Sequence, residues 1–348
     1  MHQSRVATLG ILGVITLIFV AQAQESDRPS ATGGTDDAYR PPRTSWGDPD
    51  LEGKWPSTNM AGVPLQRPES FGTRNVLNDA EFAERQAQAA RQVAQDNADF
   101  DFENPSVPFG QVGGGQSPPQ HWFERGETQR QVSLLVDPPN GRLPALTAAA
   151  QQRAADRRAN SPAQPASYTD FSLYERCITR GLIGSVMPGG YNNGNQIFQA
   201  PGYVTIVNEM IHESRIVPLD GRPHLRPAIR SHLGDSRGRW EGDTLVVETK
   251  NVADRIGLGA NNTGASAALT ITERFTRTGD TTLRYLVTVD DPMTWTAPFT
   301  MQFTLERDDD YGMFEYACHE GNHALRNILS GARATEDATV NATTRPPR

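Results

Sequence analysis

The chain has 348 residues, 36% of them hydrophobic, and its 33 Lys and Arg against 41 Asp and Glu give a formal net charge of −8. Acidic and basic residues are mixed along the sequence, which excludes the concentrated basic surface selected by nucleic acid or an anionic bilayer. The length supports one large domain or two modest ones with a real core.

From the N-terminus, Arg5 precedes an uncharged run over 6–20 (VATLGILGVITLIFV), and Ala21-Gln22-Ala23 follows as a small-x-small site. This is the form of a cleavable secretory signal peptide over residues 1–23. The run falls short of the roughly 20 residues that cross a bilayer, so no stable membrane anchor is expected after cleavage. The mature chain is expected in the periplasm or secreted. Residues 24–43 are rich in Ser, Gly, Asp and Pro with almost no apolar side chain. Such a composition cannot offset its ordering entropy, and a disordered leader is expected. Order is expected from Trp46, where Gly47-Asp48-Pro49-Asp50 is turn chemistry ahead of Leu51-Glu52-Gly53-Lys54-Trp55.

Residues 44–165 read as a strand and a helical region that packs on the core. Asn78 with Glu81 has capping-box form before a helix over 79–95. A second helix fits 146–158 and stops at Asn160-Ser161-Pro162. Between them, 105–119 carries Gly113-Gly114-Gly115 and several prolines, the composition of a surface crossing.

From 166 to 334 the pattern turns to strands. The segments 203–207, 244–249, 269–276, 282–289, 299–307 and 313–318 are short, β-branched or aromatic, and mostly alternating. Within 299–307, Met301, Phe303 and Leu305 face one way and Thr300, Gln302, Thr304 and Glu306 the other. The expected class is α+β and β-rich, an antiparallel meander or a calycin-like barrel with an N-terminal helical portion. The barrel form is suggested by Gly53-Lys54-Trp55 and Gly238-Arg239-Trp240, which resemble the Gly-x-Trp of calycins, barrels that enclose apolar ligands. A closing helix over 323–332 and a disordered tail over 335–348 complete the expected β-rich core domain and its C-terminus.

Cys177 and Cys318 are the only cysteines, so an oxidising compartment allows one intramolecular connectivity, and a disulfide is expected. The rival reading is a reactive or metal-bound Cys318 beside His319.

His319-Glu320-Gly321-Asn322-His323 matches H-E-x-x-H. On a helix that spacing makes His319 and His323 zinc ligands and Glu320 a general base. Gly321 and Asn322 are poor residues for a helix interior, which favours a turn. A looser set comprises Glu209, His212, Glu213 and Arg215 at the end of one strand, His224 and His232 in the next connection, and Asp235, Arg237, Arg239, Glu241 and Asp243 before another strand. In it His212, His232, His319 and Glu320 are the candidates for proton transfer, and Arg215 and Arg239 for holding an anionic group. The Gly- and Asn-rich turn 187–195, with Tyr191, is placed to rim a pocket. It lacks the Lys and Ser or Thr of a phosphate loop and any dinucleotide fingerprint, so no nucleotide cofactor is implied.

The segments Asp48-Pro49-Asp50-Leu51-Glu52-Gly53-Lys54-Trp55, Leu219-Asp220-Gly221-Arg222-Pro223-His224, Gly238-Arg239-Trp240-Glu241-Gly242-Asp243-Thr244-Leu245 and Tyr316-Ala317-Cys318-His319-Glu320-Gly321-Asn322 together resemble a family of secreted bacterial proteins to which no reaction is attached. The resemblance spans most of the mature chain and implies a shared fold. In that family the position of His323 is often another residue, which counts against the metal reading.

Three functions stand as expectations. The first is an exported protein that binds or transforms a small apolar or aromatic molecule in a β-barrel-like pocket. The others are a metal-dependent hydrolase using His319, Glu320 and His323, with zinc as cofactor, and a non-catalytic envelope interaction protein.

Overall fold

The computed structural model describes residues 39–96, 123–162, 164–253 and 266–344. The expected signal peptide, most of the leader, the crossing at 105–119 and the last four residues lie outside them.

Among the described residues, ten strands form two antiparallel sheets. The smaller has the order β1 (Gly53–Lys54), β3 (Asn195–Ala200), β4 (Tyr203–Asn208), β5 (Ser214–Pro218). The larger has the order β2 (Leu135–Asp137), β10 (Phe299–Glu306), β9 (Thr282–Asp290), β8 (Thr270–Arg277), β7 (Thr244–Lys250), β6 (Asp235–Glu241). β6 to β10 are antiparallel neighbours in chain order, and β7 to β10 are the expected meander. The α+β, β-rich class holds.

The sheets do not join into one hydrogen-bonded barrel. β5 and β6 lie side by side, but Val217 and Leu219 press on Gly238 so closely that a Cβ there would sit 2.8 and 2.5 Å from them. Side chains meet backbone at this seam, and no ladder links the two strands. The core between the sheets is solid. Trp55, Leu245, Tyr285, Phe299, Met301 and Phe303 are essentially inaccessible, and the expected inward set of β10 is confirmed down to Leu305.

Three helices flank the sheets. α1 (Asp79–Asp96) starts with the expected reciprocal cap, Glu81 N donating to Asn78 Oδ1 and Asn78 N to Glu81, each at 2.9 Å. α2 (Ala148–Ala159) is capped by Thr147, which accepts from Ala150 N. α3 (His323–Thr344) begins where expected but runs past 332, through the segment expected as a tail. No helix among the described residues is long and apolar enough to cross a membrane.

β2, β3, β5 and β6 are strands outside the six segments expected, and two further stretches differ from the sequence reading. Residues 39–43 are held in place before Trp46: Arg43 pairs with Asp243, and Asp50 N donates to Pro42 O at 2.8 Å. Residues 313–318 form no strand. Their backbone is claimed elsewhere, with Phe314 N donating to the Glu209 carboxylate and Cys318 tied to Cys177.

Glu306, at the end of β10, gives a pH-dependent prediction. Burial pushes its carboxyl up, Thr282 Oγ1 at 3.3 Å offsets this in part, and Glu127 adds repulsion. The native state therefore holds this proton more tightly than the unfolded chain does, and stability falls as pH rises through the carboxylate range. Glu306→Gln should stabilise at pH 7 by less than about 1 kcal/mol, since solvent screens the half-exposed group. The gain should vanish at about pH 4 and below, where the native carboxyl is protonated. Urea denaturation at both pH values checks this; an equal gain at both would contradict it.

Candidate functional site

Cys177 and Cys318 are bonded, their Cα atoms 5.7 Å apart, so the expected disulfide is present. The bond fastens the loops after α2 to the segment that leads into α3. Asn322 reinforces it, donating from Nδ2 to Glu175 O at 3.0 Å and contacting Cys177 Sγ at 3.3 Å. Strained backbone gathers here: Cys177, Asn192, Ile211 and His212 have φ of 56°, 52°, 60° and 44°. A β-branched residue rarely adopts this region, and such strain persists only where the surroundings over-determine it.

Three carboxylates supply that constraint. Glu209 is 2% exposed and accepts from Asn192 Nδ2 (2.9 Å), Gly194 N (3.2 Å), the Tyr311 hydroxyl (2.7 Å) and Phe314 N (2.9 Å). Glu124 accepts from the backbone amides of Asn192 and Asn193 at 2.6 and 3.0 Å. Glu213 accepts from the hydroxyls of Thr179 and Ser185 and, at 3.4 Å, from Arg180 N. Charge-assisted bonds of this kind are roughly twice as strong as neutral ones, which is how loops without ladders are held. Gly194 is obligatory at their centre, because a Cβ there would lie 2.3 Å from Met313 Sδ and 2.7 Å from Glu209 Oε2.

On this frame sits an aromatic platform. The rings of Tyr191 and Tyr316 are parallel within 5°, centroids 6.4 Å apart, and the Tyr174 and Tyr316 hydroxyls lie 3.3 Å apart. Burial first, and the Tyr174 hydroxyl next, push the phenols of Tyr191 and Tyr316 above their ordinary values. Both therefore act as neutral hydrogen-bonding groups at ordinary pH, not as phenolate bases. Arg180 lies over the face of Tyr174, 5.3 Å from the centroid.

His212 borders the platform. Its Nδ1 is 3.1 Å from the carbonyl oxygen of Tyr316. A carbonyl only accepts, so Nδ1 is the donor, which in a neutral ring leaves the lone pair on Nε2. That is the tautomer of a proton acceptor.

The other expected site residues are dispersed. Tyr191 joins His212 at the platform. His232 is exposed in the loop before β6, without a side-chain hydrogen bond among the described residues. His319 and Glu320 are exposed in a turn, and His323 is the first residue of α3. The H-E-x-x-H stretch thus does not place both imidazoles on one helical face, and no group of three or more His, Cys, Asp or Glu among the described residues is placed to hold a metal. Arg239 is exposed and paired with Glu241 at 2.6 Å.

Arg215 is corrected most clearly. It is sealed between the sheets in a bidentate pair with Glu273, their side chains 8% and 1% exposed, so its charge is already matched. Burial works against the Arg215 charge, and Glu273 beside it more than offsets this.

Tyr174, Arg180 and Tyr316 complete the platform and are not among the residues the sequence singles out. Arg180 and Arg176 stand near Cys177 in sequence, and Tyr174 and Tyr316 precede the two cysteines by three and two positions. Their proximity to the two bridged cysteines is the signal the sequence carries for them. No protein-family model matches this chain, and neither does any curated protein or solved structure to which it was compared.

Proposed function

We propose that the protein is an exported binding protein or enzyme for small aromatic molecules, whose ligand stacks on the Tyr174–Tyr191–Tyr316 platform and meets His212 Nε2 at its edge. The observation that carries this reading is the platform itself: parallel, partly exposed rings held by buried carboxylates on strained backbone, with an imidazole whose lone pair is on Nε2. Export rests on the signal-like N-terminus, the resemblance to a secreted family and a disulfide of the kind that persists in oxidising compartments. A calycin-like interior pocket is the less favoured place for the ligand, because the space between the sheets is occupied by core side chains.

Binding of phenol and indole, followed by tyrosine fluorescence and by NMR of the aromatic region, tests the reading. Tyr316→Leu and Tyr191→Leu should each weaken binding about 3- to 10-fold, the worth of one aromatic pair. His212→Gln should leave affinity for indole largely intact while weakening phenol, whose hydroxyl loses its acceptor at Nε2. Ligand-induced changes confined to Trp55, Tyr285 and other core residues would sink the platform and restore the interior pocket.

A further inference from the structure

Arg180 is the one feature of the platform that aromatic stacking leaves unexplained. Its side chain is half-buried and makes no hydrogen bond or ion pair among the described residues. The carboxylate of Glu213, which takes the Arg180 backbone amide, is occupied by Thr179 and Ser185. Nε is sealed from solvent without a partner, whereas Nη1 and Nη2 are not among the buried unpaired atoms and remain reachable. This end lies beside the 187–195 turn, where a Cβ built on Gly189 would stand 3.8 Å from Nη1, an ordinary contact distance. A half-desolvated guanidinium with no counter-charge leaves electrostatic energy unrealised, and an anion arriving end-on at the two Nη groups realises it.

From this we infer that the ligand is an aromatic monocarboxylate, its ring on the tyrosines and its carboxylate forked by Nη1 and Nη2 of Arg180. The inference rests on the platform reading and adds the ligand's charge. One planar, singly charged group is favoured over a phosphate because, among the described residues, Arg180 is the one cation stacked on a platform ring, Arg176 lying over Tyr168 instead, and the neighbouring phenols remain neutral. With its acid group at Arg180, the ligand presents ring substituents toward His212 Nε2, where a phenolic proton finds an acceptor. Arg180 takes over the anion-holding role that the sequence assigned to Arg215.

Calorimetry with the full mature chain, bridge oxidised, separates the alternatives. The probes are 4-hydroxybenzoate, its neutral amide 4-hydroxybenzamide, and acetate. Wild type should bind 4-hydroxybenzoate about 10- to 100-fold more tightly than the amide, the range for a hydrogen-bonded charge, and acetate far more weakly than either. Arg180→Gln should abolish the preference while leaving amide binding within about 2-fold, and Arg180→Lys should restore part of it. Arg226→Gln, in the exposed loop before β6, should change nothing. If benzoate and benzamide bind alike and Arg180→Gln affects neither, the carboxylate inference fails and the aromatic platform survives. If no aromatic probe binds wild type, both fail. An Arg180→Gln protein that loses amide binding together with its melting transition is judged by Arg180→Lys: full amide affinity without a benzoate preference there overturns the inference.

Discussion

Replacing Glu273 by Gln, or Arg215 by Met, should lower stability by about 3 to 5 kcal/mol, because either change strands a charge or its hydrogen-bonding partners between two sheets with no water to answer them. The pair joins β5 of one sheet to β8 of the other, and the Tyr285 hydroxyl on β9 donates to Glu273 at 2.6 Å. Burial first, and the Glu273 charge next, hold that phenol well above its ordinary pKa, so it remains a donor. The carboxylate is thereby satisfied from two sides. Arg215 is satisfied less completely, since its Nε is buried without a partner. Taking the whole group out should therefore cost far less than breaking it. Arg215→Met, Glu273→Leu and Tyr285→Phe together should recover most of the loss in urea denaturation at pH 7. Additive single effects, with no recovery in the triple variant, would show that the pair is not the coupled unit described here.

Removal of the disulfide is the second large effect. The bond closes 141 residues of sequence, and the loop-entropy argument gives about 4 to 5 kcal/mol as an upper figure, with measured bridges commonly nearer 2 to 4. The double change Cys177→Ser and Cys318→Ser should therefore lower the urea midpoint substantially. The functional consequence should be larger than the structural one. Tyr174 and Tyr316 reach each other because Cys177 and Cys318 bring their segments together, while the meander β6 to β10 shares no residue with either segment. Aromatic binding should vanish while the far-ultraviolet β-sheet signal persists, and reductant should reproduce this in the unaltered chain. Undiminished phenol or indole binding with both thiols free would remove the bridge from any part in the site.

Local chemistry decided much of the fold. The Asn78–Glu81 cap and the Met301, Phe303, Leu305 alternation in β10 each depend on residues within a few positions of one another, and each appears as expected, whereas α2, expected from 146, starts at Ala148 behind a Thr147 cap. Alternation also places Ile271, Glu273, Phe275 and Arg277 on the buried face of β8, but periodicity cannot say that Glu273 will find Arg215, 58 residues away, instead of solvent. The same limit explains residues 313–318. Their composition favours a strand, yet Phe314 N bonds to Glu209, 105 residues earlier, and this outweighs a weak local preference.

By itself, then, the sequence determined the β-rich class, the positions of β4 and β7 to β10, the starts of α1 and α3 and the one available cysteine pairing. Only the tertiary structure decided that two sheets form instead of a closed barrel, that Arg215 belongs to the core, and that Arg180 with Tyr174, Tyr191, Tyr316 and His212 makes one surface. The reason is physical: propensity, capping and alternation act between neighbours in the chain, whereas charge pairing and aromatic stacking act between whichever groups the packed core and the Cys177–Cys318 bond bring within a few ångströms.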